Sequence, residues 1–128
     1  MKIVKINNLE ISNDKPFTLI VGPCVIENRD HTLKIAESIH SICKDTNTNY
    51  IFKASFDKAN RTSLKGKRGA GLEKSLPVFD KIRKELQVPV LTDIHTTDQC
   101  ELVAQHVDVL QIPAFLCRQT DLLIAAAS

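Results

Sequence analysis

Four short apolar runs recur along this chain, and segments with helical spacing separate them. This alternation limits the possible fold more than any other feature of the sequence. The runs lack strict alternation of apolar and polar residues, and they have the length of strands that are buried on both faces. They are Phe17–Val21, Tyr50–Phe52, Val88–Leu91 and Val109–Ile112. Such a repeat predicts an α/β fold with parallel strands and right-handed crossovers.

Helical periodicity between the runs predicts four helices. The first has Asp30 placed as its N-cap. The second contains Pro77, so it either starts near Ser75 or bends there. The third is predicted from about Thr97 to His106, and the fourth begins near Thr120. The residues that we expect on the buried faces of the first three are Leu33, Ala36, Ile39, Cys43, Leu72, Leu76, Phe79, Ile82, Leu86, Cys100, Val103 and Val107.

The chain divides into a small appendage and one larger unit. In residues 1–16, Lys2–Ile6 and Leu9–Ile11 are predicted to form a hairpin through Asn7-Asn8. Residues 17–128 hold four βα units, which form either a small open sheet or part of a (β/α)₈ barrel of about 250 residues. The last residues continue a helical pattern without a C-terminal glycine or a basic last turn, so we expect a truncated barrel.

Composition excludes several classes of partner. The 17 basic and 15 acidic residues give a net charge of +2, which argues against a dedicated nucleic-acid binder. We expect no membrane partner, because no stretch approaches the roughly 20 apolar residues that cross a bilayer. The four cysteines form no CxxC pair, which is typical of reduced thiols in a cytoplasmic protein. We expect at least three of them in or near the core.

Polar residues follow each apolar run, and the segment Lys53–Ser63 is the richest of these clusters. Lys53, Lys58 and Arg61 place three cations within nine positions, interleaved with hydroxyl and amide side chains. This mixture suits phosphate and carboxylate groups. A solvated basic loop is the alternative, but Lys53 ends an apolar strand, where an unpaired charge is costly. We interpret the following basic stretch of Lys65, Lys67 and Arg68 as solvated.

The pair of Asp93 and His95, and separately Cys24, are further candidates for catalysis or ligand binding. Asp93 and His95 end the third run two residues apart, so both side chains point to one side of a strand. Such a pair can position a proton or hold a substrate hydroxyl, or it can cap the following helix, and we weigh the two readings equally. Cys24 follows Gly22-Pro23 and is a candidate core residue, nucleophile or metal ligand, although no nearby His or Cys completes a local ligand set.

Four motifs together resemble the 3-deoxy-D-manno-octulosonate 8-phosphate synthase family. They are VGPCVIE (Val21–Glu27), FKASFDKANRTS (Phe52–Ser63), LTDIH (Leu91–His95) and LQIPAFLCRQTDLL (Leu110–Leu123). The resemblance implies a (β/α)₈ TIM barrel and a transferase that condenses phosphoenolpyruvate with D-arabinose 5-phosphate in lipopolysaccharide inner-core synthesis. Related heptulosonate synthases share the GPC motif but lack the KANR form.

The resemblance also implies the roles of individual residues. Lys58, Asp93 and His95 would be catalytic. The substrate-binding residues that it implies are Lys53, Ser55, Lys58, Asn60, Arg61, Thr62, Gln111, Pro113, Ala114 and Arg118. Within this set, Lys53, Ser55 and Lys58 would surround phosphoenolpyruvate. Gln111, Pro113 and Ala114 would line the same pocket. Asn60, Arg61 and Thr62 would receive the sugar phosphate, and Arg118 would lie near a subunit interface.

A divalent metal and an oligomer are the remaining expectations. Members of the family with Cys at the position of Cys24 form the metal-dependent class, and those with Asn form the metal-independent class. The other ligands, a His, a Glu and an Asp, are expected on later strands, so Cys24 alone would hold an ion poorly. The family implies homotetramers. The alternatives are a heptulosonate or sialate synthase and a non-catalytic half-barrel that binds phosphate ligands.

Overall fold

The computed structural model describes residues 1–59, 64–65 and 68–128. The strands are β1 (Val4–Ile6), β2 (Leu9–Ile11), β3 (Thr18–Val21), β4 (Asn49–Lys53), β5 (Val90–Asp93) and β6 (Val109–Gln111). The helices are α1 (Arg29–Asp45), α2 (Leu72–Leu86), α3 (Gln99–Ala104) and α4 (Thr120–Ala127), and a short 3₁₀ turn spans Ala114–Leu116. In this part of the chain no helix combines the length and the apolar character that crossing a membrane requires.

Strands β3 to β6 form one parallel sheet in sequence order, which confirms the predicted α/β fold. Each of the four predicted apolar runs overlaps a strand of this sheet. Strand β5, which corresponds to the third apolar run, starts later than predicted, at Val90, and continues to Asp93. Pro89 has no N–H for the ladder, but its carbonyl accepts from Phe52 N at 2.9 Å, so Pro89 marks the edge of the pairing.

Strands β1 and β2 form the predicted antiparallel hairpin, separate from the parallel sheet. Ile6 pairs with Leu9, which leaves a two-residue turn of Asn7-Asn8. Asn7 adopts a positive φ of 52°, and asparagine is among the residues that tolerate this left-handed conformation. The hairpin turn therefore forms for the local reason that the sequence indicates.

Two helix starts differ from the prediction. The N-cap of α1 is Asn28, whose side-chain oxygen accepts from His31 N at 2.8 Å, so the prediction of Asp30 was wrong. Asp30 lies in the first turn, where its charge still favours the helix dipole. Helix α2 begins at Leu72 with Pro77 inside it, so of the two alternatives given for Pro77 the start near Ser75 was wrong. Pro77 is tolerated because it removes only one hydrogen bond near the start of the helix.

The hydrophobic core lies between the sheet and its helices. Tyr50 and Phe52 of β4 point into it, together with Phe79 and Ile82 of α2. Successive strand residues face opposite sides, so the odd-numbered residues of β4 face the other surface of the sheet. That second surface carries the candidate site.

The cysteines do not follow the expectation of at least three in the core. Cys43 and Cys100 are buried, but Cys24 and Cys117 are exposed. All four are free thiols. Cys24 and Cys117 both follow the carboxyl end of a strand, where the chain turns out towards solvent.

Candidate active site

The predicted site residues of three neighbouring strands lie on one surface of the sheet. Ala54 and Phe56 continue β4 into the core, so Lys53 and Ser55 point to the opposite side. Ile94 likewise belongs to the core, which leaves Asp93, the last residue of β5, on that opposite side, and the His95 side chain reaches Asp93 from just beyond the strand. In β6 the core-facing neighbours Leu110 and Ile112 leave Gln111 on the same side. This surface is called the site face below.

The register of the strands brings these residues to the same end of the sheet. Lys53 pairs with Leu91, and Asp93 pairs with Gln111. The backbone continues this pairing beyond the strands, since Ile94 N donates to the Gln111 carbonyl at 3.1 Å. The carboxyl ends of parallel strands are where ligands bind in α/β folds. As the sequence pattern predicted, these side chains lie at the carboxyl end of the parallel sheet.

Asp93 and His95 form a close pair that is almost removed from solvent. His95 Nε2 lies 3.3 Å from Asp93 Oδ2, and the two side chains are 10% and 8% exposed. The ring of Phe56 meets the imidazole edge to face, with the centroids 5.5 Å apart. Within the described residues, Asp93 Oδ1 and His95 Nδ1 are buried and have no hydrogen-bond partner.

The alternative that Asp93 and His95 cap the following helix is not how the structure uses their side chains. The Gln99 side chain accepts from His95 N at 2.8 Å and from Thr96 N at 3.3 Å. Gln99 is the first residue of α3, so its own amide closes the turn before the helix. Sequence reasoning missed Gln99, and no local signal marked it, because glutamine is an ordinary residue in a first helical turn. The Asp93 and His95 side chains therefore do not cap α3 and can contact a ligand on the site face.

Ser55 is the third buried polar group of the site face. Its residue is fully buried, and Ser55 Oγ has no hydrogen-bond partner among the residues that the structure describes. The backbone of Ser55 is held by a parallel bridge to Val25, with Ile26 N donating to the Ser55 carbonyl at 2.8 Å. Leaving a buried polar group unpaired costs about 1–3 kcal/mol. Unpaired atoms on Ser55, Asp93 and His95 together indicate a position built to contact a ligand.

Two of the predicted cations, Lys53 and Lys58, belong to the described part of the basic segment. Lys53 and Lys58 are both half-buried, and Lys58 N donates to the Arg68 carbonyl at 2.6 Å. Arg68 is exposed, as the interpretation of a solvated stretch requires, but it pairs with Asp57 at 2.7 Å, which the sequence did not indicate. The predicted residues Asn60, Arg61 and Thr62 lie outside the described residues.

The remaining predicted residues differ in exposure. Pro113 is buried, while Ala114 and Arg118 are exposed on the turn that follows β6. Cys24 is exposed beyond the end of β3. The described residues contain no group of three His, Cys, Asp or Glu side chains that could hold a metal ion. Cys24 thus fits a metal only if further ligands come from elsewhere.

Gly22 sets the spacing of the first two strand ends. A Cβ atom at this position would lie 1.7 Å from the carbonyl oxygen of Lys53. No side chain fits in that gap, so the glycine lets the backbone after β3 approach the end of β4. The close approach of Gly22 to the Lys53 carbonyl gives this glycine a role in shaping the site.

A parallel α/β sheet with polar groups at its carboxyl edge defines a ligand-binding class of α/β protein, and comparison with known proteins defines the family. The chain belongs to the DAHP synthetase I family, whose family model matches residues 1–128. A relative from Bartonella quintana (strain Toulouse), named 2-dehydro-3-deoxyphosphooctonate aldolase, is 57% identical over 125 residues. Relatives of the same name from Chelativorans sp. (strain BNC1) and Rickettsia rickettsii (strain Sheila Smith) are 56% and 53% identical.

The matches cover almost all of this chain but less than half of each relative. They include 97–98% of this chain and 45–46% of the length of these three relatives. The chain therefore spans about half the length of the curated relatives that it matches. The relatives carry the name of the octulosonate branch, so the family resemblance predicted from the motifs is confirmed.

Proposed function

We propose that this chain provides the front half of an enzyme that condenses phosphoenolpyruvate with D-arabinose 5-phosphate. Residues 17–128 would supply the first four βα units of a (β/α)₈ barrel, with residues 1–16 as a hairpin appendage. The sequence-ordered parallel sheet supports this architecture. The observation that carries the proposal is the cluster of buried, unpaired polar atoms on Ser55, Asp93 and His95 at the carboxyl end of that sheet.

The reaction that we propose needs two anions held close together away from water. The terminal enol carbon of phosphoenolpyruvate forms a bond to the aldehyde carbon of the sugar phosphate. Water adds to the neighbouring carbon of phosphoenolpyruvate, and the bond between that carbon and the phosphate oxygen breaks. The products are 3-deoxy-D-manno-octulosonate 8-phosphate and inorganic phosphate. Positioning and fixed charges supply most of the catalysis in such a site.

Lys53 and Lys58 would hold phosphoenolpyruvate, assisted by Ser55 and Gln111. Lysine is a compact point charge that suits phosphate and carboxylate oxygens; Lys53 ends β4, Lys58 follows it closely, and both are half-buried. Pro113 and Ala114 would form part of the pocket wall. Asn60, Arg61 and Thr62 would receive the phosphate of the sugar, and Arg118 would lie near a subunit interface of a homotetramer.

Asp93 and His95 would act next to the reacting carbons. Their contact of 3.3 Å lets the carboxylate orient the imidazole and hold a proton on Nε2, while Nδ1 stays available to a substrate or a water molecule. Cys24 would be one ligand of a divalent metal, completed by residues outside this chain. Without a full ligand set the isolated chain would bind the ion weakly. The enzyme would work in the cytoplasm, where its thiols remain reduced.

The proposal can be tested on a completed barrel, in which residues 1–128 are followed by the part of the Bartonella quintana relative beyond its matched segment. We expect release of phosphate from phosphoenolpyruvate with arabinose 5-phosphate, and none above background with erythrose 4-phosphate. The isolated chain should show no turnover. Preference for erythrose 4-phosphate would instead identify a heptulosonate synthase. Phosphate binding by the isolated chain, with no turnover by the completed barrel, would favour the non-catalytic half-barrel.

Replacement of Asp93 tests the catalytic assignment within the same protein. Asp93→Asn keeps the shape of the side chain but removes the charge that orients His95, so kcat should fall by about 10²-fold or more. Asp98→Asn is the matched control, because Asp98 is exposed at the start of α3 and makes no side-chain capping bond. Equal activity of the Asp93 and Asp98 variants would rule out the assigned role.

A further inference from the structure

The residues on the two sides of segment 59–67 lie close together, and this close approach is called the loop neck below. Lys58 N donates to the Arg68 carbonyl at 2.6 Å, and Gly71 N donates to the Phe56 carbonyl at 3.1 Å. Ala70 N reaches the carbonyl of Ile26 at 2.7 Å, which ties the returning chain to the segment after β3. The two ends of the loop therefore lie side by side, next to the candidate site.

An ion pair between the side chains of Asp57 and Arg68 adds two hydrogen bonds at this neck. Arg68 Nε donates to Asp57 Oδ1 at 2.8 Å, and Arg68 Nη2 donates to Asp57 Oδ2 at 2.7 Å. Such paired bonds fix the relative orientation of the two groups as well as their distance. The bonds to the Asp57 carboxylate raise the pKa of the Arg68 guanidinium above its ordinary value. The pair of Asp57 and Arg68 is called the clasp below.

Stability alone gives a weak reason for the clasp. The Arg68 side chain is 62% exposed, and exposed ion pairs contribute little to the free energy of unfolding. Its position suggests a more local effect, because Asp57 directly precedes Lys58 in the sequence. A free carboxylate at Asp57 would attract the Lys58 ammonium group and repel an incoming anion. With Arg68 in place, both oxygens of that carboxylate are already engaged.

We propose that the clasp positions Lys58 for an anionic substrate, by fixing the loop neck and by keeping the Asp57 carboxylate from competing for the Lys58 ammonium group. This inference rests on the proposed function, because it takes Lys58 as a residue that holds phosphoenolpyruvate. Asp57 and Arg68 are positioning residues, since they act through Lys58. Loss of the clasp would therefore weaken the affinity for the anion more than it would lower the stability of the fold.

The kinetics of three variants of the completed barrel test this role. Arg68→Gln leaves the Asp57 charge uncompensated, so the KM for phosphoenolpyruvate should rise by about five- to tenfold. Asp57→Asn/Arg68→Gln removes both charges, and the KM should return to within about threefold of the unsubstituted value. Lys81→Gln is the matched control, because it breaks an exposed ion pair to Glu85 at 2.7 Å on α2. Its KM should stay within about twofold of the unsubstituted value.

Two kinetic results would overturn the proposal. One is an unchanged KM in Arg68→Gln. The other is a double variant as impaired as Arg68→Gln, since a purely mechanical tie would not be rescued by removing Asp57 as well. A merely structural role would lower the Tm of Arg68→Gln along with its activity, whereas we expect the Tm of Arg68→Gln and of the double variant to match that of the control.

A second readout does not require the proposed reaction. Leu64 lies within the loop and is fully exposed, so chymotrypsin cleavage after Leu64 reports how firmly the loop is held. Asp57→Asn should be cleaved about threefold faster or more, while Glu85→Asn should be cleaved at the unsubstituted rate. If the completed barrel has no activity, the proposed function fails, but faster cleavage still supports the clasp. Unchanged cleavage in Asp57→Asn would contradict the clasp whatever the activity.

Discussion

At the scale of single residues, the site face is marked by polar atoms that the described chain leaves unpaired. Ser55, Asp93 and His95 each bury a polar atom without a hydrogen-bond partner in the described residues. At roughly 1–3 kcal/mol for each such group, the folded chain retains a substantial cost in one small region. A ligand with hydroxyl groups that donate to Asp93 Oδ1 and His95 Nδ1, and with an oxygen that accepts from Ser55 Oγ, would satisfy these groups and recover the cost as binding free energy. This links the stability of the chain to its proposed ligand.

Tyr50 provides a separate prediction about single residues, at the opposite end of β4 from the site. Burial, and to a smaller extent the charge of Cys43, raise the pKa of Tyr50 from its ordinary value of 10.0 to about 12. Its hydroxyl also lies 2.7 Å from His40 Nδ1. The unfolded chain loses the phenol proton near pH 10, before the folded chain does. The stability that Tyr50 contributes is therefore complete below pH 10 and is lost as the pH rises towards 12.

The phenolate absorbance at 295 nm measures this directly. In the completed barrel, the difference between the titration curves of the unsubstituted protein and Tyr50→Phe isolates this phenol, which is the single tyrosine of the 128 residues. We expect a midpoint near pH 12 in the folded protein. In urea the midpoint should shift to about 10. A midpoint near 10 in the folded protein would contradict the burial of Tyr50.

Sequence reasoning succeeded at residues whose position follows from local periodicity. The period of two along a strand was enough to place Asp93 and His95 on one side, and they lie 3.3 Å apart. It did not find the pairing of Asp57 with Arg68, which are eleven residues apart in sequence. That contact depends on how the loop returns to the sheet, and local patterns of charge do not contain this information.

At the scale of secondary-structure elements, Asp108 joins three parts of the fold at the amino ends of the strands. Its carboxylate accepts from Asn7 Nδ2 at 3.0 Å, from Arg83 Nη2 at 3.1 Å and from Val90 N at 2.9 Å. The hairpin turn, α2 and β5 thus meet at one nearly buried charge, which is satisfied by its partners. The sequence did not mark Asp108, because its partners come from distant segments.

The start of α1 gives a prediction at this scale. Asn28→Ala removes the oxygen that accepts from His31 N, so the free energy of unfolding should fall by about 1 kcal/mol. Asp30→Ala is the matched control, since it removes only a favourable interaction with the helix dipole, worth about 0.3–1 kcal/mol. Urea unfolding of the completed barrel, followed by far-UV circular dichroism, measures both. A larger loss in Asp30→Ala would show that the sequence-predicted cap is the effective one after all.

At the scale of the whole molecule, the order of the strands was predictable but the closure of the sheet was not. Alternating strands and helices indicated a parallel sheet, and the observed order β3-β4-β5-β6 follows the sequence. The two outer strands, β3 and β6, each have one neighbour in the described chain. Sequence patterns report which faces are apolar, but they do not state what covers an edge strand. A barrel would pair these edges through four further strands.

Strand β3 exposes apolar surface at such an edge. Ile20 in the middle of the strand is 52% exposed, and unpaired apolar strand edges promote association between chains. We therefore expect the isolated chain to associate with increasing concentration, as measured by sedimentation velocity. The completed barrel should show a defined oligomer, because its second half would cover the edge of β3.

Lysine substitutions distinguish this edge from general surface hydrophobicity. Ile20→Lys places a charge on the exposed edge strand, a feature that opposes edge-to-edge pairing, so it should reduce the association of the isolated chain by about tenfold or more. Ile42→Lys is the matched control, because Ile42 is 61% exposed on α1, a helix with no free strand edge. Equal effects of the two substitutions would mean that scattered apolar surface, and not the edge of β3, drives association. The exposed edge of β3 would then give no physical reason to expect further strands that complete the sheet.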